Sequence, residues 1–312
     1  MPHPSLLLGA DGGGTKTLGI LADARGAELS RVQVSASNPN VVGVDGAAGT
    51  LADLLFACCK QAGCSPADVA TAVFGLAGAG NASVQQRLTE ALRVLLQKQG
   101  IRMPAVRFET DARIALEGAF GGGPGVIVIA GTGSSVLGKS PDGSVRLVGG
   151  WGRVLGDEGS GHFVGLEALK VLVRMLDGRM SPGRLASILE SRFGLGSRER
   201  VVNAVYQEGL ALSSLAPSVL AAAEQGDAAA IAIFRRGASF LSEQVAVLVR
   251  AFSSLERIGV VFIGGLIDHE NLYSRLLRDA VCASSSAVNV VSPQYPPVNG
   301  AVLLAQASHS QR

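Results

Sequence analysis

The chain has 312 residues, 47% of them hydrophobic and 17% charged, with a formal net charge of +2. That length and apolar content suffice for sizeable cores and predict two domains, while scattered Lys and Arg exclude an electrostatic footprint for nucleic acid. No uninterrupted apolar run reaches transmembrane length, and Met1-Pro2-His3-Pro4-Ser5 lacks the charged start and cleavage region of a signal peptide, so a cytoplasmic protein without a membrane partner is expected.

The first apolar stretch, Leu6-Leu7-Leu8-Gly9-Ala10, runs into Asp11-Gly12-Gly13-Gly14-Thr15-Lys16-Thr17 and leaves through Leu18-Gly19-Ile20-Leu21-Ala22. Apolar flanks on both sides predict two strands joined by a hairpin rather than a strand-to-helix junction. Glycine lets the backbone turn tightly and aim several N–H groups at one point, the geometry a phosphate needs, and Thr15 and Thr17 add hydroxyls. The spacing matches neither the Walker A loop nor the dinucleotide fingerprint. A single turn of this kind reads equally as a plain tight hairpin. Asp11, an acid beside a phosphate turn, is a candidate for holding Mg²⁺ through water.

A third apolar segment ends at Val34, and Asn38 and Asn40 in Ser37-Asn38-Pro39-Asn40 read as turn residues or as sugar ligands. A helix over 45–62, a strand over 71–74, a helix over 81–99 and a strand over 106–109 follow, an α/β pattern with a mixed sheet. Asp111, in Thr110-Asp111-Ala112, falls where side chains face the mouth of such a sheet. It is either a general base for an attacking hydroxyl or the N-cap of a helix over 112–120.

Gly121-Gly122-Gly123-Pro124-Gly125 then punctuates the chain as a hinge, and the pattern restarts. Val126–Ala130 leads into Gly131-Thr132-Gly133-Ser134-Ser135, followed by strands over 136–139 and 145–148 around a Ser140-Pro141-Asp142-Gly143 turn. The opening of the first part is thus repeated, so two similarly folded lobes are expected, each giving one phosphate hairpin to a cleft between them. The second copy tips the balance from plain hairpins to a nucleotide clamp.

The Gly-rich segment over 149–161 holds the only Trp of the chain and an acid pair. Asp157 and Glu158 suit bidentate binding of sugar hydroxyls, and Trp151 suits the apolar face of a sugar or an acetyl group; the competing reading has the acids favouring the next helix's N-terminus and Trp151 filling core. Helices over 161–176, 181–190 and 228–255 are expected to face the core. Val260–Ile263 ends in Gly264-Gly265, where a flat ring could lie on bare backbone or the chain could simply turn. A closing helix over 299–306 is expected with Asn299 as its cap. Cys58, Cys59, Cys64 and Cys282 contain no Cys-x-x-Cys pair and read as buried thiols, and the four His are too far apart for a local metal signature.

Together these segments resemble the actin-like ATPase superfamily of sugar kinases, specifically the N-acetylglucosamine kinase branch grouped with the activator ATPases of benzoyl-CoA reductase and 2-hydroxyacyl-CoA dehydratase. The likeness spans nearly the whole chain and is most specific at Gly149-Gly150-Trp151-Gly152 and Gly156-Asp157-Glu158-Gly159-Ser160. It implies an α/β fold of two ribonuclease H-like lobes with a nucleotide and sugar cleft between them. The first lobe would be 1–120, with a C-terminal helix over 296–312 packing back on it, and the second 121–295. It further implies ATP- and Mg²⁺-dependent phosphorylation of the 6-hydroxyl of an amino sugar, N-acetylglucosamine or else glucosamine, by a homodimer whose lobes close on the substrate.

On that resemblance Asp111 is the base, while Asn38, Trp151, Gly152, Asp157 and Glu158 contact the sugar. Asp11 holds the metal. Gly12, Gly13, Gly14, Thr15, Lys16 and Thr17, with Gly131, Thr132, Gly133 and Ser134, hold the phosphates, and Gly264 and Gly265 flank adenosine. Asn299-Gly300-Ala301 departs from the Gly-rich start many relatives show at the last helix. An activator ATPase would need cysteines placed for a bridging iron–sulfur cluster, whereas these lie in or beside helical stretches. A sugar-responsive regulator would need a DNA-binding module before residue 6 and a zinc-binding cysteine motif, and neither is seen.

Overall fold

The computed structural model describes residues 5–252 and 257–310, and the chain divides into two compact units, 1–123 with 293–312 and 124–292. In the first unit β1 (Leu6–Gly12), β2 (Thr17–Ala22) and β3 (Glu28–Val34) form an antiparallel meander, α1 (Pro39–Ala62) crosses to β4 (Val69–Leu76), and α2 (Ala82–Lys98) leads to β5 (Ala105–Glu109) and α3 (Asp111–Ala119). The sheet order is β3-β2-β1-β4-β5, with β4 and β5 parallel to β1. Leu7 and Leu8, on opposite faces of β1, are both fully buried, which is why the strand reads as an unbroken apolar run. Leu8 packs with Leu51 and Leu54 of α1 and Leu88 and Leu92 of α2.

Asn38 caps α1 by accepting from the Asn40 N–H, with Pro39 at the first helical position. The helix thus begins at Pro39 rather than at the expected residue 45; Gly43, at φ 74°, kinks it and breaks the periodicity that would have shown the first turn. By length and composition α1 could cross a bilayer, yet Leu51, Leu54, Leu55, Cys58 and Cys59 are buried in the core, as in the core helix of an α/β layer.

The second unit repeats the scheme. β6 (Gly125–Ala130), β7 (Ser134–Lys139) and β8 (Val145–Gly149) form the meander, followed by α4 (Gly161–Leu176), α5 (Arg184–Phe193), α6 (Arg198–Tyr206), α7 (Ala216–Glu224) and α8 (Ala228–Ala251). Next come β9 (Ile258–Ile263), α9 (Leu272–Ser284) and β10 (Val288–Val290), in the sheet order β10-β9-β6-β7-β8. The core joins Val126, Val128 and Val136 to Leu172, Phe234, Leu241 and Tyr273. The last turn of the helix expected to reach 255 lies partly outside the described residues.

The final helix, α10 (Pro297–Ser310), packs in the first unit, where Ala301, Leu304 and Ala305 meet Leu7, Val73 and Ile114. Its start corrects the role expected of Asn299, which sits inside the first turn and donates its N–H to the Pro296 carbonyl. Gly300 has a packing reason: a Cβ there would run into the Ile114 carbonyl and stand 2.5 Å from the Gly118 nitrogen.

Candidate functional site

In the first unit the candidate residues gather at the carboxyl ends of β1, β4 and β5, the usual ligand edge of such a sheet. The Asp11–Thr17 turn closes with the Gly13 N–H on the Lys16 carbonyl at 2.9 Å, and the Gly13 carbonyl accepts from the N–H groups of Ser37 and Asn38, both at 3.1 Å. Gly14, Thr15 and Lys16 are exposed. Thr17 is fully buried, and its hydroxyl bonds the Ser35 carbonyl at 2.7 Å and the Ser37 hydroxyl at 2.8 Å. That corrects its expected part in phosphate binding: it braces the turn from behind. Gly12 is likewise a packing glycine, since a Cβ there would collide with the Ser37 hydroxyl.

Asn38 stands next to Gly78, where a Cβ would lie 2.7 Å from its Oδ1. Its carbonyl oxygen is committed to the α1 cap at 2.9 Å. Asp111 lies exposed in the first turn of α3, but the cap is Thr110, whose hydroxyl accepts from the Arg113 N–H at 3.0 Å. The N-cap is thus Thr110 rather than Asp111, while one Asp111 carboxylate oxygen accepts from the Ala112 N–H at 2.9 Å and the other has no such bond to the helix end among the described residues. Burial, and then the negative charge of Asp111, hold the Asp11 carboxyl above its usual range, with Lys16 acting in the opposite direction. A partly buried carboxylate beside a second one, with only oxygen donors, fits a hard divalent cation such as Mg²⁺.

In the second unit the Gly131–Ser134 turn joins β6 to β7. It is stitched to the acidic segment: the Ser134 N–H reaches an Asp157 carboxylate oxygen at 3.3 Å and the Ser134 hydroxyl donates to the Glu158 carbonyl at 2.8 Å. The first N–H groups of α4, from Gly161 and His162, donate to the carbonyls of Gly131 and Thr132 at 2.7 and 3.2 Å. Ser160 caps α4, so neither Asp157 nor Glu158 is needed there. Asp157 holds φ at 60°, the sole non-glycine residue with positive φ among the described residues, a conformation found where surroundings impose it.

Trp151 is 75% exposed, and Val154 and Leu155 are 86% and 77% exposed, so the indole does not fill core. Gly264, at φ 107°, lies against the phosphate turn, where a Cβ would stand 2.5 Å from the Ala130 carbonyl oxygen, while the positions above Gly265 and Gly131 are open. Bare backbone facing open space beside a phosphate turn fits a nucleotide. A cavity of about 600 Å³ is lined by Thr132, Asp157, Arg153, His162, Leu210 and Ser213, among others. Sequence reasoning missed the last four, because the stretch after α6 has no periodicity and His162 and Arg153 match no spacing.

Cys58 and Cys59 are buried and Cys64 half-buried, while Cys282 is exposed, which corrects its expected burial. Burial pushes the Cys58 thiol up to about 11. No group of three or more His, Cys, Asp or Glu able to hold a metal occurs among the described residues.

A profile of the BadF/BadG/BcrA/BcrD ATPase family matches residues 8–305. The N-acetylmuramic acid/N-acetylglucosamine kinase of Clostridium acetobutylicum is 28% identical over 306 residues, 96% of this chain and 98% of the relative. The N-acetyl-D-glucosamine kinase of Dictyostelium discoideum is 26% identical over 314 residues, 96% and 97% of the two chains. Among solved structures, one described as a candidate N-acetylglucosamine kinase from Chromobacterium violaceum is 30% identical, with a TM-score of 0.71 over 98% of this chain and 100% of that one. The matched sheets, the paired glycine turns and the near-complete coverage place this chain in the BadF/BadG/BcrA/BcrD ATPase family.

Proposed function

We propose that the protein is an ATP- and Mg²⁺-dependent kinase that phosphorylates the 6-hydroxyl of an amino sugar, with N-acetylglucosamine as its first substrate and glucosamine as the alternative. The observation that carries this is Asp111: an exposed carboxylate at the sheet mouth, beside a cap that Thr110 supplies and close enough to Asp11 to perturb it. In this reading Asp111 takes the proton of the sugar's 6-hydroxyl as that oxygen forms a bond to the γ-phosphorus. The bond from phosphorus to the bridging oxygen breaks, and ADP and the sugar 6-phosphate leave.

The N–H groups at Gly13, Gly14, Gly131 and Gly133 and the Lys16 ammonium take the phosphates, and Gly264 and Gly265 take the adenosine. Mg²⁺ would be held by Asp11 through water and would neutralise charge on the transferring phosphate. Asn38, Asp157 and Glu158 bind sugar hydroxyls, with Trp151 and Gly152 against its apolar side. A cytoplasmic homodimer is part of the same reading.

The test is ADP release with Mg-ATP against N-acetylglucosamine, glucosamine, N-acetylmannosamine, glucose and no sugar. Strong stimulation by one amino sugar is expected and names the substrate. Hydrolysis at the same rate without sugar overturns the kinase reading.

A further inference from the structure

Tyr273 lies in the first turn of α9, far along the chain from the acidic turn and outside every motif. It is fully buried, with its ring against Phe234 of α8 at a centroid separation of 4.9 Å. Its hydroxyl donates to the Gly159 carbonyl at 2.7 Å. Two glycines make room for that hydroxyl: a Cβ at Gly159 or at Gly237 would each stand 2.7 Å from its oxygen. Burial pushes the phenol far above its usual range, so it remains a protonated donor.

The accepting carbonyl belongs to the turn that carries Asp157. That turn is fixed on one side by Ser134, which bonds both Asp157 and Glu158, and on the other by Tyr273 at Gly159. Between these two anchors Asp157 keeps its left-handed backbone. A buried hydroxyl aimed at the residue two places after a strained carboxylate does more than fill space, since phenylalanine would fill it equally well.

We propose that Tyr273 is a positioning residue for the sugar site: by holding the Gly159 carbonyl it sets the direction in which the Asp157 carboxylate points. This rests on the reading of Asp157 as a sugar ligand. A displaced ligand weakens the contact made in the complex and leaves the rest of the reaction alone.

The experiment is a double-mutant cycle in the full chain with Tyr273→Phe, Asp157→Ala and the pair, reading KM for the sugar, KM for ATP and kcat. Tyr273→Phe is expected to raise the sugar KM roughly tenfold while ATP KM stays within about twofold, and to add no further rise in the Asp157→Ala background. Gly237→Ala, whose methyl would stand 2.7 Å from the Tyr273 hydroxyl and 3.1 Å from the Gly159 Cα, disturbs the same junction and should give the same split if Tyr273→Phe does not fold. Asp157→Ala raising the sugar KM while Tyr273→Phe leaves it unchanged, or additive effects in the pair, overturns the positioning role alone. An unchanged sugar KM in Asp157→Ala overturns the sugar-site reading and this inference with it.

Discussion

Asp11 and Asp111 show how little of a site is a matter of residue type. Each is an aspartate in a polar turn, yet one is held above its ordinary range by burial and by the other's charge. The sign of the consequence follows from proton binding. Because the folded state holds the Asp11 proton more tightly than the unfolded chain, stability contributed here is greatest at low pH and is lost as pH rises through the raised value. Asp111→Asn removes one cause of that shift. The variant is expected to melt higher than the parent at pH 7, with a smaller difference at pH 4, while kcat falls about a hundredfold or more and sugar binding persists. Melting curves at the two pH values, sugar binding by calorimetry and turnover read these effects, and an undiminished kcat removes Asp111 as the base. Which of Thr110 and Asp111 caps α3 was not legible in sequence, because Thr and Asp are both favoured caps and the better one, Asp, is not the one used. In the structure the Thr110 hydroxyl takes the cap by accepting from the Arg113 N–H. Thr17 was misjudged for a similar reason: at the start of a strand, alternate side chains face opposite ways, and this one faces in.

At the scale of elements, the two glycine hairpins were legible because turn residues and short unbroken apolar flanks agree. The helices α6, α7 and α9 were not anticipated. α6 opens on Arg198-Glu199-Arg200 and buries only Val201 and Ala204, too few for a clear apolar stripe. For α9 a signal existed: Asn271 and Ser274 form a reciprocal cap, with Leu277 and Val281 one turn apart on the buried side. The same capping logic failed at Asn299, where close backbone contact with α3 matters more than the cap. That contact has a measurable cost. Gly300→Ala places a methyl against the Ile114 carbonyl and is expected to lower stability by about 3 kcal/mol in urea unfolding, as overpacking of a closed contact does. A change below about 0.5 kcal/mol would mean that α10 shifts without penalty.

At the scale of the whole molecule, two sheets of the same order carry two separate cores, and α10 belongs to the core of the first. Deleting 293–312 uncovers Leu7, Val73 and Ile114 at once. Amides of β1 and β4 are then expected to lose most of their hydrogen-exchange protection while those of β6 and β9 keep theirs; equal loss in both sheets would show that the two units unfold as one. The repeat of strand, turn and strand was readable because local pattern encodes it. The α10 contact was not, since nothing in residues near β1 names a partner at the opposite end of the chain.

That return of the chain also orders events in time. β1 is completed by α10, which is made after every element of the second unit, and at roughly 5–20 residues per second of synthesis this apolar face of β1 waits on the order of tens of seconds for its cover. The wait in the second unit is shorter: β6 needs β9, which is made well before α10. In nascent chains of this protein the surface left open longest to aggregation is therefore this face of β1.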